Sequence, residues 1–343
     1  MTARAFITGL SGPAIGADEA DFFRQAAPWG LILFKRNIDS PAQVKALTAH
    51  FREIVGWDAP VLVDQEGGRV QRLGPPHWPA YPPGAAYAAL YESNRALGLE
   101  AARLGGRLIA EDLVAVGIDV DCIPVADVPV AGADRVIGDR ALGDTPQQVA
   151  ALAGAQAAGA LSAGVLPVVK HLPGHGRATA DSHRDLPVVN TDRATLEATD
   201  FAAFRPLSRL PLGMTAHVVF SAIDAVQPAT TSAIMLRDVI RGWIGFEGLL
   251  MSDDVSMGAL SGSLAERSRA ALAAGCDVVL HCNGNLDEMR QVAQAAPLLA
   301  GEAATRAARA LALRGQRTEI DIAAARARFA DLMNQPATGA IAR

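Results

Sequence analysis

Thr145-Pro146-Gln147-Gln148-Val149, continuing through Ser162-Ala163-Gly164 into Leu166-Pro167-Val168-Val169-Lys170, reads as one helix followed by one strand. Thr145 is an N-cap with proline at the first helical position, where the missing N–H is no loss, and Gly164 supplies the stop near Ala163. The run from Leu166 to Lys170 is apolar without alternation until its last residue, as a strand buried on both faces requires. The unit recurs in both directions along the chain. Strand-like runs occupy Ala5–Leu10, Gly30–Phe34, Val61–Asp64, Val120–Val125, Leu212–Ala216, Gly248–Ser252 and Val278–His281. Ser40-Pro41 repeats the helix-start device and leads to Ile54 and Gly56; Asn94–Val116 ends at Gly117; Thr231–Arg241 and Leu264–Ala274 fill the later gaps.

Alternating βα units imply a parallel sheet with right-handed crossovers. Eight of them close into a barrel, which takes ~250 residues. The expectation is a single-domain (β/α)8 TIM-type barrel covering residues 1–343, its core at about 5–285 and a helical C-terminal extension at about 286–335. An open doubly wound sheet is the rival, but no GxGxxG follows the first strand. The proline-rich stretches Gly74–Pro83 and Pro206–Pro211 are connections, not interdomain linkers.

Half of the 343 residues are hydrophobic, a fifth are charged and the formal net charge is −5. That excludes a disordered chain, and without a basic excess neither nucleic acid nor an anionic membrane is an expected partner. Cys122, Cys276 and Cys282 form no CxxC pair and read as reduced thiols. The short apolar run Ala5–Leu10 is broken by Ser11-Gly12-Pro13, so no export signal is read there. No apolar run approaches the ~18–20 residues that span a bilayer; Gln156 and several glycines interrupt the alanine-rich Val149–Leu166. A cytoplasmic monomer is expected.

In a barrel the carboxyl ends of all strands converge on one face, where chemistry is built. The polar residues just after the apolar runs are Lys35, Arg36, Asp64, Glu66, Asp127, Lys170, His171, His217, Asp253, Asp254 and His281 to Asn283. Carboxylates, cations and imidazoles without an apolar pocket suit a polyhydroxylated ligand, whose hydroxyls need paired donors and acceptors. The densest segment is Lys170-His171-Leu172-Pro173-Gly174-His175-Gly176, continuing to Asp181-Ser182-His183. Pro173-Gly174 makes it a long loop, and long loops at this face serve as lids or binding segments. His171 and His175 are four apart, but only a helix would put both imidazoles on one metal, and the proline-glycine pair prevents one. No metal is expected.

The same segment resembles the signature of the family 3 glycoside hydrolases, specifically the bacterial cytoplasmic β-N-acetylglucosaminidases. Matching pieces are Leu31-Ile32-Leu33-Phe34-Lys35-Arg36-Asn37, Val63-Asp64-Gln65-Glu66-Gly67-Gly68-Arg69-Val70-Gln71-Arg72, Ile137-Gly138-Asp139-Arg140 and Ser252-Asp253-Asp254-Val255-Ser256-Met257, in family order over roughly residues 25–285. Leu172 stands where Phe is common and Ala141 where Ser is usual.

The resemblance implies a retaining exo-glycosidase working through a covalent glycosyl-enzyme. Asp253 would be the nucleophile; the spacing alone does not choose between it and Asp254, and the family motif does. His183 would be the general acid/base, with Asp181 orienting it. An imidazole in that role is sound, because its pKa of ~6.5 lets it give and take a proton near neutral pH. Asp64, Arg72, Arg140, Lys170 and His171 would bind the sugar, His217 would be wall, and Glu66 has no assigned role. The implied substrate is terminal β-linked N-acetylglucosamine on muropeptides (GlcNAc-1,6-anhydro-MurNAc peptides) in peptidoglycan recycling, with no cofactor. A phosphorylase on the same site is the alternative, and a non-catalytic sugar-binding protein a more distant one.

Overall fold

The computed structural model describes residues 3–182 and 185–335. Its strands β1 (Arg4–Thr8), β2 (Pro28–Leu33), β3 (Val61–Val63), β4 (Val120–Asp121), β5 (Leu166–Leu172), β6 (Leu212–Thr215), β7 (Leu249–Asp254) and β8 (Val278–His281) pair in parallel in chain order. β8 returns to β1 and closes the barrel, with Phe6 opposite Val279. The expected (β/α)8 architecture is the observed one.

Successive strand residues fall alternately into two apolar clusters. Ile7, Ile32, Leu62, Val120, Val168, Met214, Met251 and Leu280 fill the barrel interior. Phe6, Leu31, Leu33, Val61, Val63 and Val169 face the surrounding helices. Both sides of each strand are apolar, so the sequence shows continuous runs rather than alternation.

The extension carries helices at Leu286–Ala295, Gly301–Leu311 and Ile322–Met333. Leu299, Ala307 and Ala310 join the interior cluster, while the Ala5 amide donates to the Pro297 carbonyl at 2.8 Å and the Leu299 amide to the Ala3 carbonyl at 2.9 Å. The segment therefore stoppers the N-terminal end of the barrel, opposite the face where the strand-end polar residues gather.

Three local expectations shift. The fourth strand was expected over Val120–Val125 but pairs regularly only at Val120–Asp121, because Pro124 has no N–H to give. Contact with β5 resumes irregularly, the Ala126 amide donating to the Lys170 carbonyl at 2.7 Å. The helix expected at Thr231–Arg241 spans Met235–Trp243, wound as a π-helix, and Ser232 caps it by accepting from the Met235 amide at 3.2 Å. A helix at Ala17–Ala26 has no counterpart in the sequence reading. Its N-cap is Gly16, and the Glu19 side chain reaches back to the Gly16 amide at 3.1 Å. Among the described residues no helix is long and apolar enough to cross a membrane.

The helices Arg95–Val114 and Pro146–Ser162 cross at van der Waals distance because glycines lie at the crossing. A Cβ on Gly106 would sit 2.2 Å from the Gln156 carbonyl oxygen, and one on Gly159 would sit 2.1 Å from that of Arg103. Gly159→Ala should therefore force the helices apart and lower stability by about 1–3 kcal/mol despite its better helix propensity. Urea denaturation measures this; an unchanged or raised midpoint would refute the close-packing account.

Candidate active site

The polar residues at the ends of β3, β5 and β7 meet at one face because the chain turns polar where the barrel interior ends. A cavity of about 470 Å³ opens there, lined by Asp64, Glu66, Arg69, Arg72, Asp134, Arg140, Lys170, His171, Asp181, Asp253 and Asp254, with Phe34, Met214, Met257 and Cys282 as its apolar and thiol wall. Seven of the eight residues expected in the site line it. The eighth, His183, lies outside the described residues.

Lys170 is the centre of the charge arrangement. Its Nζ, on a side chain 3 % exposed, donates to Asp64 Oδ1 at 2.8 Å and to Glu66 Oε1 at 2.6 Å. Arg72 Nη2 holds the other Asp64 oxygen at 2.9 Å. Arg140 grips Glu66 with two parallel bonds, Nε to Oε2 at 2.8 Å and Nη2 to Oε1 at 2.9 Å. Burial alone would raise both carboxyls, but Lys170 with Arg72 holds Asp64 well below the usual carboxylate range, and Lys170 with Arg140 lowers Glu66. Burial would likewise lower the Lys170 ammonium, and the two carboxylates reverse that and raise it. Lys170, Asp64, Glu66 and Arg140 stay charged at neutral pH. Glu66, without a role in the sequence reading, is the carboxylate that fixes both Lys170 and Arg140; proximity after a strand end was its only signal.

Asp127 organises the second half. It is fully buried, and its Oδ2 lies 2.6 Å from His171 Nδ1, while its Oδ1 accepts from the His175 amide at 2.6 Å. Burial would raise the Asp127 carboxyl, but His171 beside it brings the pKa down to about 2. An ionised carboxylate only accepts, so the proton of this pair sits on Nδ1, and the His171 ring lines the cavity. His175 stacks edge-on to His171 and its Nε2 lies 2.9 Å from Ser182 Oγ. Burial first, and His171 second, push the His175 pKa down to about 4, so this ring is neutral and structural. The peptides Lys170–His171 and Leu172–Pro173 at this strand end are cis.

The two carboxylates of β7 have different partners. Asp254 Oδ1 accepts from the Ser256 amide at 2.9 Å and the Cys282 amide at 3.2 Å, and its Oδ2 from the Ser256 hydroxyl at 2.7 Å. It thus ties the end of β7 to that of β8. Asp253 Oδ1 accepts from the Asp254 amide at 2.8 Å, and its side chain faces the cavity. His217, expected as wall, lies beneath the site, bonded to Thr230 Oγ1 at 2.7 Å and the Asp254 carbonyl at 3.0 Å. Among the described residues no group of three or more His, Cys, Asp or Glu side chains is placed to hold a metal ion.

Comparison with known proteins matches residues 14–313 to the glycosyl hydrolase family 3 N terminal domain. The chain is 42 % identical over 281 residues to a beta-hexosaminidase of Alkalilimnicola ehrlichii, covering 80 % of this chain and 79 % of that protein. It is 43 % identical over 278 residues to one from Methylococcus capsulatus, covering 80 % and 81 %. In three dimensions it superposes on NagZ of Neisseria gonorrhoeae, solved in complex with N-trifluoroacetyl-D-glucosamine, with a TM-score of 0.85 at 31 % identity over 97 % of this chain and 98 % of the other.

Because Asp127 titrates lower when folded, its contribution to stability is complete above an unfolded pKa of ~4 and disappears as pH falls toward the folded value. The stability gap between wild type and Asp127→Asn should therefore contain a pH-dependent part of about 2 kcal/mol that shrinks between pH 4 and 2. Urea titrations from pH 6 to pH 2 test this. Parallel stability curves for the two proteins would mean that Asp127 carries no such shift.

Proposed function

The chain belongs to glycosyl hydrolase family 3, and we propose that it is a retaining exo-β-N-acetylglucosaminidase. The observation that carries the reading is the joint lining of one cavity by Asp253, by Asp181 on the loop after β5, and by the buried Lys170–Asp64 pair. The names of its relatives, beta-hexosaminidases, and the N-acylated glucosamine bound by the gonococcal neighbour support the choice of sugar.

In this reading the clamp around Lys170 offers the ring hydroxyls both acceptors, on Asp64, and donors, on Lys170, Arg72 and His171. Asp253 attacks the anomeric carbon as the glycosidic C–O bond breaks, and the departing oxygen takes the proton of the His183 imidazolium, oriented by Asp181. The now neutral His183 then removes a proton from water, which attacks the same carbon and releases Asp253. Two displacements retain the configuration and return every proton. None of these steps calls for a metal or an organic cofactor. The natural substrate we propose is a muropeptide carrying terminal β-GlcNAc on 1,6-anhydro-MurNAc, cleaved by a monomer in the cytoplasm during cell-wall recycling.

Purified protein should release nitrophenol from 4-nitrophenyl N-acetyl-β-glucosaminide in phosphate-free buffer, with retained configuration and no effect of EDTA. Release that waits for added phosphate and yields a sugar 1-phosphate would make it a phosphorylase instead. Asp253→Ala should lose at least ~10³-fold in kcat while melting like wild type. Near wild-type turnover in that variant would remove Asp253 from the mechanism. His183→Ala should lose far more on alkyl or disaccharide glycosides than on activated aryl glycosides, because only the former need a proton. Equal losses on both classes would exclude the acid role.

A further inference from the structure

Arg69 is used by none of the steps above, yet it spans two parts of the site. It lies in the short antiparallel pair Gln65–Gly67 and Val70–Gln71, whose Glu66 is held by Lys170 and Arg140. From there its Nη2 reaches the carbonyls of Arg135 at 3.0 Å, Val136 at 2.6 Å and Ile137 at 3.3 Å, while its Nε donates to Asp139 Oδ1 at 3.0 Å. Three carbonyls thus converge on one guanidinium nitrogen. The segment they belong to is joined to the loop after β5. The Asp134 amide donates to the Ala178 carbonyl at 2.8 Å, and the Val130 amide to that of Gly176 at 3.3 Å. The contact at Gly176 has no slack, since a Cβ there would stand 2.0 Å from the Val128 carbonyl oxygen. Asp181 follows Ala178 by three residues.

We propose that Arg69 is a positioning residue that holds the loop bearing Asp181 in register with the sugar clamp, through the turn at 134–137. The inference rests on the glycosidase reading above and deepens it by naming how the acid/base loop is placed. The planar fork explains the residue type: Nε and Nη2 face different partners at fixed angles, which a lysine ammonium cannot reproduce. Arg69 touches none of the reacting atoms. Its removal lets the loop drift, and misplacement by ~1 Å of a proton donor costs about 10²-fold where protonation limits the rate.

The test is a leaving-group series of aryl and alkyl N-acetyl-β-glucosaminides with wild type, Arg69→Ala, Arg69→Lys and Asp139→Asn. Because kcat/KM reports the first displacement alone, Arg69→Ala should lose roughly 10–100-fold in kcat/KM on poor leaving groups and less than about threefold on the dinitrophenyl glycoside, steepening the dependence on leaving-group pKa. Inhibition by free N-acetylglucosamine should be unchanged, and millimolar guanidinium should restore part of the loss. Arg69→Lys should follow Arg69→Ala, and Asp139→Asn should move the same way by less. These two variants carry the test if the alanine protein does not fold. Equal loss across the series, a change confined to KM for particular aglycones, or full activity in Arg69→Lys would overturn the proposal. A wild-type enzyme inactive on every member of the series would instead overturn the glycosidase reading itself.

Discussion

An ammonium buried to the degree of Lys170 has to be answered by carboxylates buried with it, and most of the upper face of this barrel follows from that demand. Asp64 and Glu66 meet it from the end of β3, and each then needs a second cation, which Arg72 and Arg140 supply. Breaking a pair of this kind by removing one partner typically costs about 3–5 kcal/mol, because it strands the other charge in a low-dielectric interior. The arrangement is thus a lock and, in the proposed function, a recognition surface as well. A rigid set of donors and acceptors loses little when a sugar binds, since it was fixed by its own partners beforehand.

In the proposed mechanism the chemistry is built on different elements from the recognition. The clamp joins β3 to β5 and the hairpin that follows β3, whereas the carboxylates come from β7, and Asp181 from a loop anchored through Asp127, Ser182 and the turn at 134–137. His175 illustrates how the loop is held: burial keeps its ring neutral, so it serves as a hydrogen-bond post beside a neighbour, His171, that lines the cavity. Two histidines four residues apart therefore do unlike work, which neither their spacing nor their type conveys.

The strands were legible because both faces are buried, which leaves continuous apolar runs. The site was legible because a charge directly after such a run, Lys170 after Val169 or Asp64 after Val63, has only the strand's end to occupy. What escaped depends on neighbours across the sheet. Asp127 reaches His171 from the adjacent strand's loop, and Glu66 bridges residues separated from it by 74 and 104 positions; no spacing encodes such pairs. The helix at Ala17–Ala26 escaped because a glycine begins it and a glutamate reaching backward does the capping. The stopper formed by Leu299, Ala307 and Ala310 was invisible for a related reason: an alanine-rich helix does not announce which opening it closes.

Ionic strength divides the two halves of the site. Lys170, Glu66 and Arg140 are almost wholly withdrawn from solvent, whereas the Arg69–Asp139 bridge leaves both side chains nearly half exposed. Mobile ions screen charges that meet water within ~8–10 Å at ordinary salt and hardly touch those that do not. The Lys170 pairs and the Arg69–Asp139 bridge therefore answer to different solution conditions, and rising salt weakens the second while leaving the first nearly untouched.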